Sequence, residues 1–209
     1  MDKVIGYDYR YKILIIGEGG AGKTSLVNRM MSKDGDVKEV DTTIGVEFTS
    51  TVQTVENKMI KIHMWDCAGS EAFFPLIQVY FRDTACAIIV MDLTSDIGLM
   101  TTEKWIKRYL REKGKTEIPF ILIGNKLDLI CDRKISKEKA EELAKKYGVK
   151  YIEVSAKTGA NTRNCLNMIT KHIYDNMDKG SCGIMKGYRC EIEPHSVDDY
   201  KDYKCCVIN

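Results

Sequence analysis

Gly17-Glu18-Gly19-Gly20-Ala21-Gly22-Lys23-Thr24 is the stretch of this chain best suited to chemistry. Its G-x-x-x-x-G-K-[ST] spacing lies between the apolar run Ile13 to Ile16 and Ser25-Leu26-Val27, which predicts a buried strand, a loop and a helix in succession. Glycines let the backbone curl until consecutive N–H groups and the N-terminus of the next helix face one anion-sized hollow. Gly19, Gly20, Ala21 and Gly22 form that cradle, with Ser25 at its exit; Lys23 brings a mobile positive charge to terminal phosphates and Thr24 a hydroxyl to Mg²⁺.

Three shorter motifs follow. Trp65-Asp66-Cys67-Ala68-Gly69 ends an apolar run with a carboxylate suited to holding Mg²⁺ through its ligand shell, and Gly69 leaves backbone room for an N–H to meet a γ-phosphate. Asn125-Lys126-Leu127-Asp128 follows the run Pro119 to Gly124. A carboxylate such as Asp128 accepts from both N1–H and the exocyclic amine of guanine, whereas adenine offers neither donor on that edge. Leaving such a carboxylate unpaired is costly, so the choice of base is strong. Ser155-Ala156-Lys157 adds a backbone N–H able to reach guanine O6.

The elements that must place these motifs are legible from apolar periodicity. Tyr11 to Ile16, Ala85 to Met91 and Pro119 to Gly124 are near-continuous apolar runs, as expected of strands covered on both faces, and Tyr151 to Val154 is a last one. Val46, Phe48, Ser50, Val52 and Thr54 share one face of a further strand, and a turn at Glu56-Asn57-Lys58 returns the chain as Met59 to Trp65, so these two are antiparallel. Helical stripes are carried by Leu26, Val27, Met30 and Met31, fading at Ser32-Lys33-Asp34-Gly35; by Leu99, Trp105, Ile106, Tyr109 and Leu110; by Ala140, Leu143, Ala144 and Tyr147, with Ser136 as N-cap; and by Leu166, Met168, Ile169, His172 and Ile173. Asp36 to Thr42 reads as a loop. The expected fold is an α/β three-layer sandwich of the P-loop NTPase kind, with a mostly parallel six-stranded sheet, one antiparallel edge strand and helices on both faces. Ligands then bind beyond the carboxyl ends of the strands, where every motif falls. The domain expected is residues 10–177, after an N-terminal extension 1–9 and before a flexible tail 178–209 in which periodicity stops.

Composition sets bounds. A chain of 209 residues with 32 basic against 30 acidic side chains is one domain by prior and gives no electrostatic reason to expect nucleic acid as a partner. No run reaches the ~18 apolar residues of a membrane span, and Met1-Asp2-Lys3-Val4 lacks a signal-peptide apolar region, so the body is expected in the cytosol. The eight cysteines should there stay reduced. Cys67, Cys86, Cys131 and Cys165 read as small apolar fillers; Cys182, Cys190 and His195 lack a fourth ligand for a metal; His63 and His172 read as structural.

In this order, the phosphate loop, Asp-x-x-Gly, Asn-Lys-x-Asp and Ser-Ala-Lys resemble the Ras superfamily of small GTPases over roughly residues 10 to 177. Ile44-Gly45-Val46-Glu47-Phe48, Lys61-Ile62-His63-Met64-Trp65 and Tyr80-Phe81-Arg82 resemble the Rab branch. The resemblance implies that Thr43 completes the Mg²⁺ shell by its hydroxyl and meets the γ-phosphate by its N–H. It also implies that Ile44, Phe48, Trp65 and Tyr80 present the nucleotide state to effectors. The residue-level reading of the three aromatics, core packing, stays open beside this. Exchange factors, GTPase-activating proteins, effectors, a prenyl-binding escort and a monomeric chain are likewise implied.

Two departures stand out. Ser70 occupies the position of the glutamine that orients the attacking water, and a serine is shorter and lacks an amide's paired donor and acceptor. Because positioning dominates phosphoryl-transfer catalysis, slow intrinsic hydrolysis through Lys23, Thr43, Gly69 and Ser70 is expected. Activating proteins of the family supply an arginine and a glutamine in trans, and Gly19, where bulk would obstruct them, is still glycine. The other departure is that Ser25 to Thr42 contains no Phe, Tyr or Trp to stack on the guanine, which leaves the Lys126 stem as its apolar cover and predicts loose retention of GDP and GTP.

Cys206-Val207-Ile208-Asn209 fits a prenylation box with an atypical last residue, and Cys205-Cys206 resembles the double-cysteine end of Rab proteins. From Asp178 on there are five basic and six acidic side chains, a net of about −1, so the second membrane signal is expected to be a second lipid on Cys205 and not charge. Asp2 rules out N-myristoylation. The resulting expectation is a prenylated Rab-like switch on the cytosolic face of membranes. Its rivals are a nucleotide-holding membrane tether with negligible turnover and a Ras- or Rho-like signalling GTPase.

Overall fold

The computed structural model describes residues 7–31, 41–82, 84–112 and 119–178. Its strands are β1 (Tyr9–Gly17), β2 (Val46–Val55), β3 (Lys58–Cys67), β4 (Cys86–Asp92), β5 (Phe120–Asn125) and β6 (Lys150–Glu153). Helices α1 (Lys23–Met31), α2 (Phe74–Ile77), α3 (Gly98–Glu112), α4 (Lys137–Tyr147) and α5 (Thr162–Asp178) connect them. The sheet order is β2-β3-β1-β4-β5-β6, parallel throughout except for the antiparallel pair of β2 with β3. The expected architecture is thus the one observed.

Why the apolar runs lacked alternation is plain from what each face meets. Along β1, Ile13 and Ile15 point into one buried cluster and Leu14 and Ile16 into another. The same division separates Ile88 and Val90 from Ile89 and Met91 on β4, and Ile121 and Ile123 from Phe120 and Leu122 on β5. The first cluster is closed by Leu26 and Val27 of α1 and by Leu166, Ile169 and Ile173 of α5; the second by Ile77 of α2, Trp105, Ile106 and Tyr109 of α3, and Ala140 and Leu143 of α4. Each such side chain contributes about 1.5–3 kcal/mol on burial, so the central strands are the most heavily anchored part of the fold and a rigid base for the loops at their carboxyl ends.

Local signals agree with these bounds. Ser136 caps α4 by accepting from Lys139 N–H, and Gly148 ends it in the left-handed region at φ 65°. The β2–β3 hairpin turns on Glu56 and Asn57, both at positive φ, the geometry that matches strand twist in a two-residue loop. Between β3 and β4, 3₁₀ turns at Glu71–Phe73 and Gln78–Phe81 flank α2.

One sequence expectation needs adjustment. Cys131 is exposed and so is no core filler; among the described cysteines, Cys67, Cys86 and Cys165 are buried. It lies in the turn after Asp128, off the sheet. The face of β2 carrying Phe48, Ser50, Val52 and Thr54 is the exposed one, and Thr49, Thr51, Gln53 and Val55 take the half-buried side, on which Val55 packs against the first cluster. The first strand begins at Tyr9, and just before it Asp8 accepts from Met59 N–H (2.8 Å) and pairs with Lys58. Ser32 to Gly35, most of the 36–42 loop, Cys182, Cys190, His195, Cys205 and Cys206 lie outside the described residues. Among the described residues, no helix is long and apolar enough to cross a membrane.

Candidate nucleotide site

The loop from β1 into α1 wraps backbone to backbone against the loop after β3. A Cβ on Gly69 would lie 2.4 Å from Gly19 N, so only glycine permits the approach, while a Cβ on Gly19 would meet nothing nearer than the Gly69 backbone at 4.0 Å. Gly20 and Gly22 sit at φ 74° and 80°, the left-handed curl that the cradle requires. Lys23 is buried at the start of α1, its Nζ donating to the carbonyls of Gly17 (3.1 Å) and Glu18 (2.8 Å). Burial lowers its pKa, and the charge of Asp66 works against that shift. Lys23 is thereby pinned at the start of α1 by two backbone carbonyls.

Beside it three oxygens converge. The Thr24 hydroxyl lies 2.7 Å from that of Thr43 and donates to Asp66 Oδ2. Asp66 Oδ1 is buried with no protein partner, and burial pushes the carboxyl up to about 6, with the Thr24 bond opposing. A buried oxygen without a donor next to two hydroxyls is the environment a hard divalent cation satisfies. The donor set fits Mg²⁺, with Thr24, Thr43 and Asp66 as the residues that would hold it. Thr43 is fixed there because the Ala68 N–H reaches back to the Gly45 carbonyl at 2.8 Å, tying the first loop to the end of β3.

Across the loop, the base motifs form one connected set. Asn125 is buried; its amide donates to the Ala21 (2.9 Å) and Gly22 (3.4 Å) carbonyls, and its Oδ1 accepts the Ala156 N–H at 3.1 Å. Asn125 therefore joins the phosphate loop to the last loop instead of standing open to a ligand. Lys126 takes a left-handed φ of 71° and its Nζ bonds Asp92 Oδ2 at 2.6 Å. Burial works against the Asp92 charge, but the bonds from Lys126 and Thr94 hold its carboxyl below the usual range. Asp92 carried no motif and sequence reasoning missed it; its place at the end of β4, level with the other strand-end motifs, was the available signal. Asp128 accepts from the buried Ser155 hydroxyl at 2.5 Å.

Ser70 is exposed and precedes the first 3₁₀ turn, its carbonyl accepting the Phe73 N–H at 3.1 Å while its hydroxyl makes no capping bond. Further along the sheet edge, Phe48, Trp65 and Tyr80 form a row with ring centroids 5.0 and 5.1 Å apart. Both sequence readings meet in that row: Trp65 and Tyr80 pack against the second core cluster, whereas Phe48 is 48% exposed and Ile44 82% exposed. Lys12 of β1, which no motif announced, places its Nζ 5.4 and 5.9 Å from the Trp65 and Tyr80 ring centroids and donates to the Arg82 carbonyl.

A family model described as Ras family matches residues 12–175. The chain is 35% identical over 173 residues to the Ras-related protein Rab-8A of Bos taurus, covering 83% of each chain. It is similar to the same extent to Rab-8A of Rattus norvegicus and of Mus musculus, at 35% identity and 83% of each chain.

Proposed function

The chain belongs to the Ras family as a Rab-like small GTPase that converts GTP and water to GDP and phosphate, and on that premise we propose that it is a membrane-trafficking switch with slow intrinsic hydrolysis. The observation that supports this reading best is the convergence of Thr24, Thr43 and Asp66 beside buried Lys23, with Asp128 and Ser155 at the other end of the same groove.

In this reading Gly19 to Ser25 enclose the phosphates, Lys23 exchanges its two carbonyl partners for β- and γ-phosphate oxygens, and Gly69 N–H and Thr43 N–H meet the γ-phosphate. Bound Mg²⁺ neutralises charge that develops on the phosphate oxygens. Asp128 accepts from N1–H and the amine of guanine, the stem of Lys126 covers the base, and the 155–157 loop meets O6. Asn125 holds the two ends of the groove at a fixed separation. Ser70, exposed and short, leaves the attacking water poorly oriented, so the GTP state is long-lived until a partner supplies the missing groups. Ile44, Phe48, Trp65 and Tyr80 form the surface through which effectors read that state. Exchange and activating proteins and a prenyl-binding escort complete the cycle, with lipid on Cys206 and on Cys205 anchoring the chain to the cytosolic face of a membrane.

Single-turnover GTP hydrolysis with Mg²⁺, at an enzyme excess that removes product release from the rate, tests the proposal. A rate slow but clearly above the buffer blank is expected. GTP bound tightly with no rate above blank would replace the switch by a nucleotide-holding tether. Mass analysis of the processed tail, one lipid or two, separates the Rab-like anchor from a Ras- or Rho-like one.

A further inference from the structure

Arg29 stands in the last turn of α1, and its guanidinium lies along the loop after β6. Nε donates to the Ala156 carbonyl at 2.9 Å, and Nη2 donates to the Lys157 carbonyl. Gly159, at φ 83°, takes the left-handed turn by which the loop passes the guanidinium, and a Cβ there would be in ordinary contact, 3.5–3.6 Å, with the side chain's Cδ, Nε and Cζ. Arginine's planar fork suits two successive carbonyls, a pairing that the point charge of lysine does not reproduce.

The loop's own bonds show what this grip controls. Ser155 N–H goes to the Ala160 carbonyl, Ala156 N–H to Asn125, Thr158 N–H to the Ser155 hydroxyl and Gly159 N–H to the Ser155 carbonyl, at 2.9–3.1 Å. Lys157 N–H is the loop donor outside that set. It shares one planar trans peptide with the Ala156 carbonyl, and in such a peptide the two groups point in opposite directions. The guanidinium that fixes the carbonyl oxygen therefore fixes the direction of the N–H. A charged donor on the carbonyl also polarises the peptide and makes its N–H a better donor.

We propose that Arg29 is the positioning residue for recognition of the base: it aims Lys157 N–H at the oxygen on C6 of guanine and ties that donor to α1, the helix that opens with Lys23 and Thr24. One helix then locks the phosphate end and the base end of the groove to each other. The inference rests on the nucleotide-site reading above and assigns within it a residue that no motif names.

GDP, 6-thio-GDP and IDP are compared by displacement of a fluorescent GDP from wild type, Arg29→Met and Arg29→Lys, with thermal unfolding of each. 6-Thio-GDP keeps N1–H and the amine and carries a larger, weaker acceptor at C6; IDP keeps O6 and lacks the amine that Asp128 takes. Wild type should prefer GDP over 6-thio-GDP by about fivefold or more, the scale of one well-aimed hydrogen bond. In Arg29→Met that ratio should fall toward one while the GDP to IDP ratio holds, and Arg29→Lys, able to keep one carbonyl, should lie between. An unchanged 6-thio ratio in Arg29→Met, or an equal fall in both ratios, overturns the positioning role. If Arg29→Met does not fold, Arg29→Lys is read by the same two ratios. If wild type itself fails to distinguish the three nucleotides, it is the base-site reading that fails.

Discussion

The Ser155 hydroxyl donates to the Asp128 carboxylate at 2.5 Å, joining two loops 27 residues apart in sequence. That bond occupies one Asp128 oxygen and holds the carboxylate plane, so its remaining lone pairs face a ligand from a fixed direction. Exchanging the carboxylate for an amide turns one acceptor into a donor opposite the donors of guanine. Asp128→Asn should weaken GDP binding by about 100-fold, near 2.7 kcal/mol, with xanthosine diphosphate, whose C2 carries an acceptor, losing far less. Titration of the two nucleotides against wild type and variant checks this; equal losses for both would remove Asp128 from base recognition.

Gly22 is constrained twice. Its φ of 80° is left-handed, and a Cβ would lie 2.4 Å from Asn125 Nδ2. Gly22→Ala must push away the amide that links the phosphate loop to the last loop, adding backbone strain to a lost buried bond, together about 2–3 kcal/mol. Lower thermal stability and nucleotide release faster by tenfold or more are expected. Gly20→Ala, which also strains the backbone but meets nothing within 4 Å, should cost less on both measures.

Much of the sheet and most of the motif residues were legible in sequence for the same physical reason. Strands buried on both faces must be apolar without alternation, and phosphate cradles need glycine at set spacings, so Ile13 to Ile16 followed by Gly17 to Thr24 announces both at once. What stayed hidden depends on tertiary company. Phe48 and Val52 alternate like a core face yet are exposed, because the first core cluster meets β2 on its other face, at Val55. The segment Glu71–Phe81 folds into pieces of three or four residues, too short for a periodicity to register. Arg29 and Asp92 act through partners distant in sequence, and a single arginine or aspartate carries no spacing to read.

On the proposed reading, Ser70 stands where the water-orienting glutamine would be expected. Its exposed hydroxyl makes no capping bond to the 3₁₀ turn behind it, so a longer side chain has room and nothing local to replace. Ser70→Gln should raise the single-turnover rate about tenfold, which corresponds to roughly 1.4 kcal/mol of barrier, with GTP affinity unchanged. Equal rates in variant and wild type would show that water positioning does not limit this enzyme and would move the explanation for any slow hydrolysis elsewhere.

His63 gives a pH signature to the sheet edge. It stands on β3 with Phe48 edge-on at 5.1 Å, and its Nε2 is buried without a partner. Burial first, then the charges of Lys61 and Arg10, lower its pKa from 6.5 to about 4. The folded protein thus keeps the imidazole neutral at pH values where the unfolded chain protonates it. Between pH 6.5 and 4 the unfolded state binds more protons, so stability falls as the pH drops through that window and is unaffected by this group above it. His63→Gln removes the titration while keeping a polar side chain of similar length. Denaturant unfolding of wild type and variant at pH 7.5, 6, 5 and about 4.5 should give a shallower loss for the variant, the two curves approaching each other as acid is added. Parallel curves would mean that His63 is as free to protonate in the folded protein as in the unfolded chain. Because Phe48 rests on the same ring, the variant should also loosen the exposed end of the Phe48–Trp65–Tyr80 row, which tryptophan fluorescence reports independently of stability.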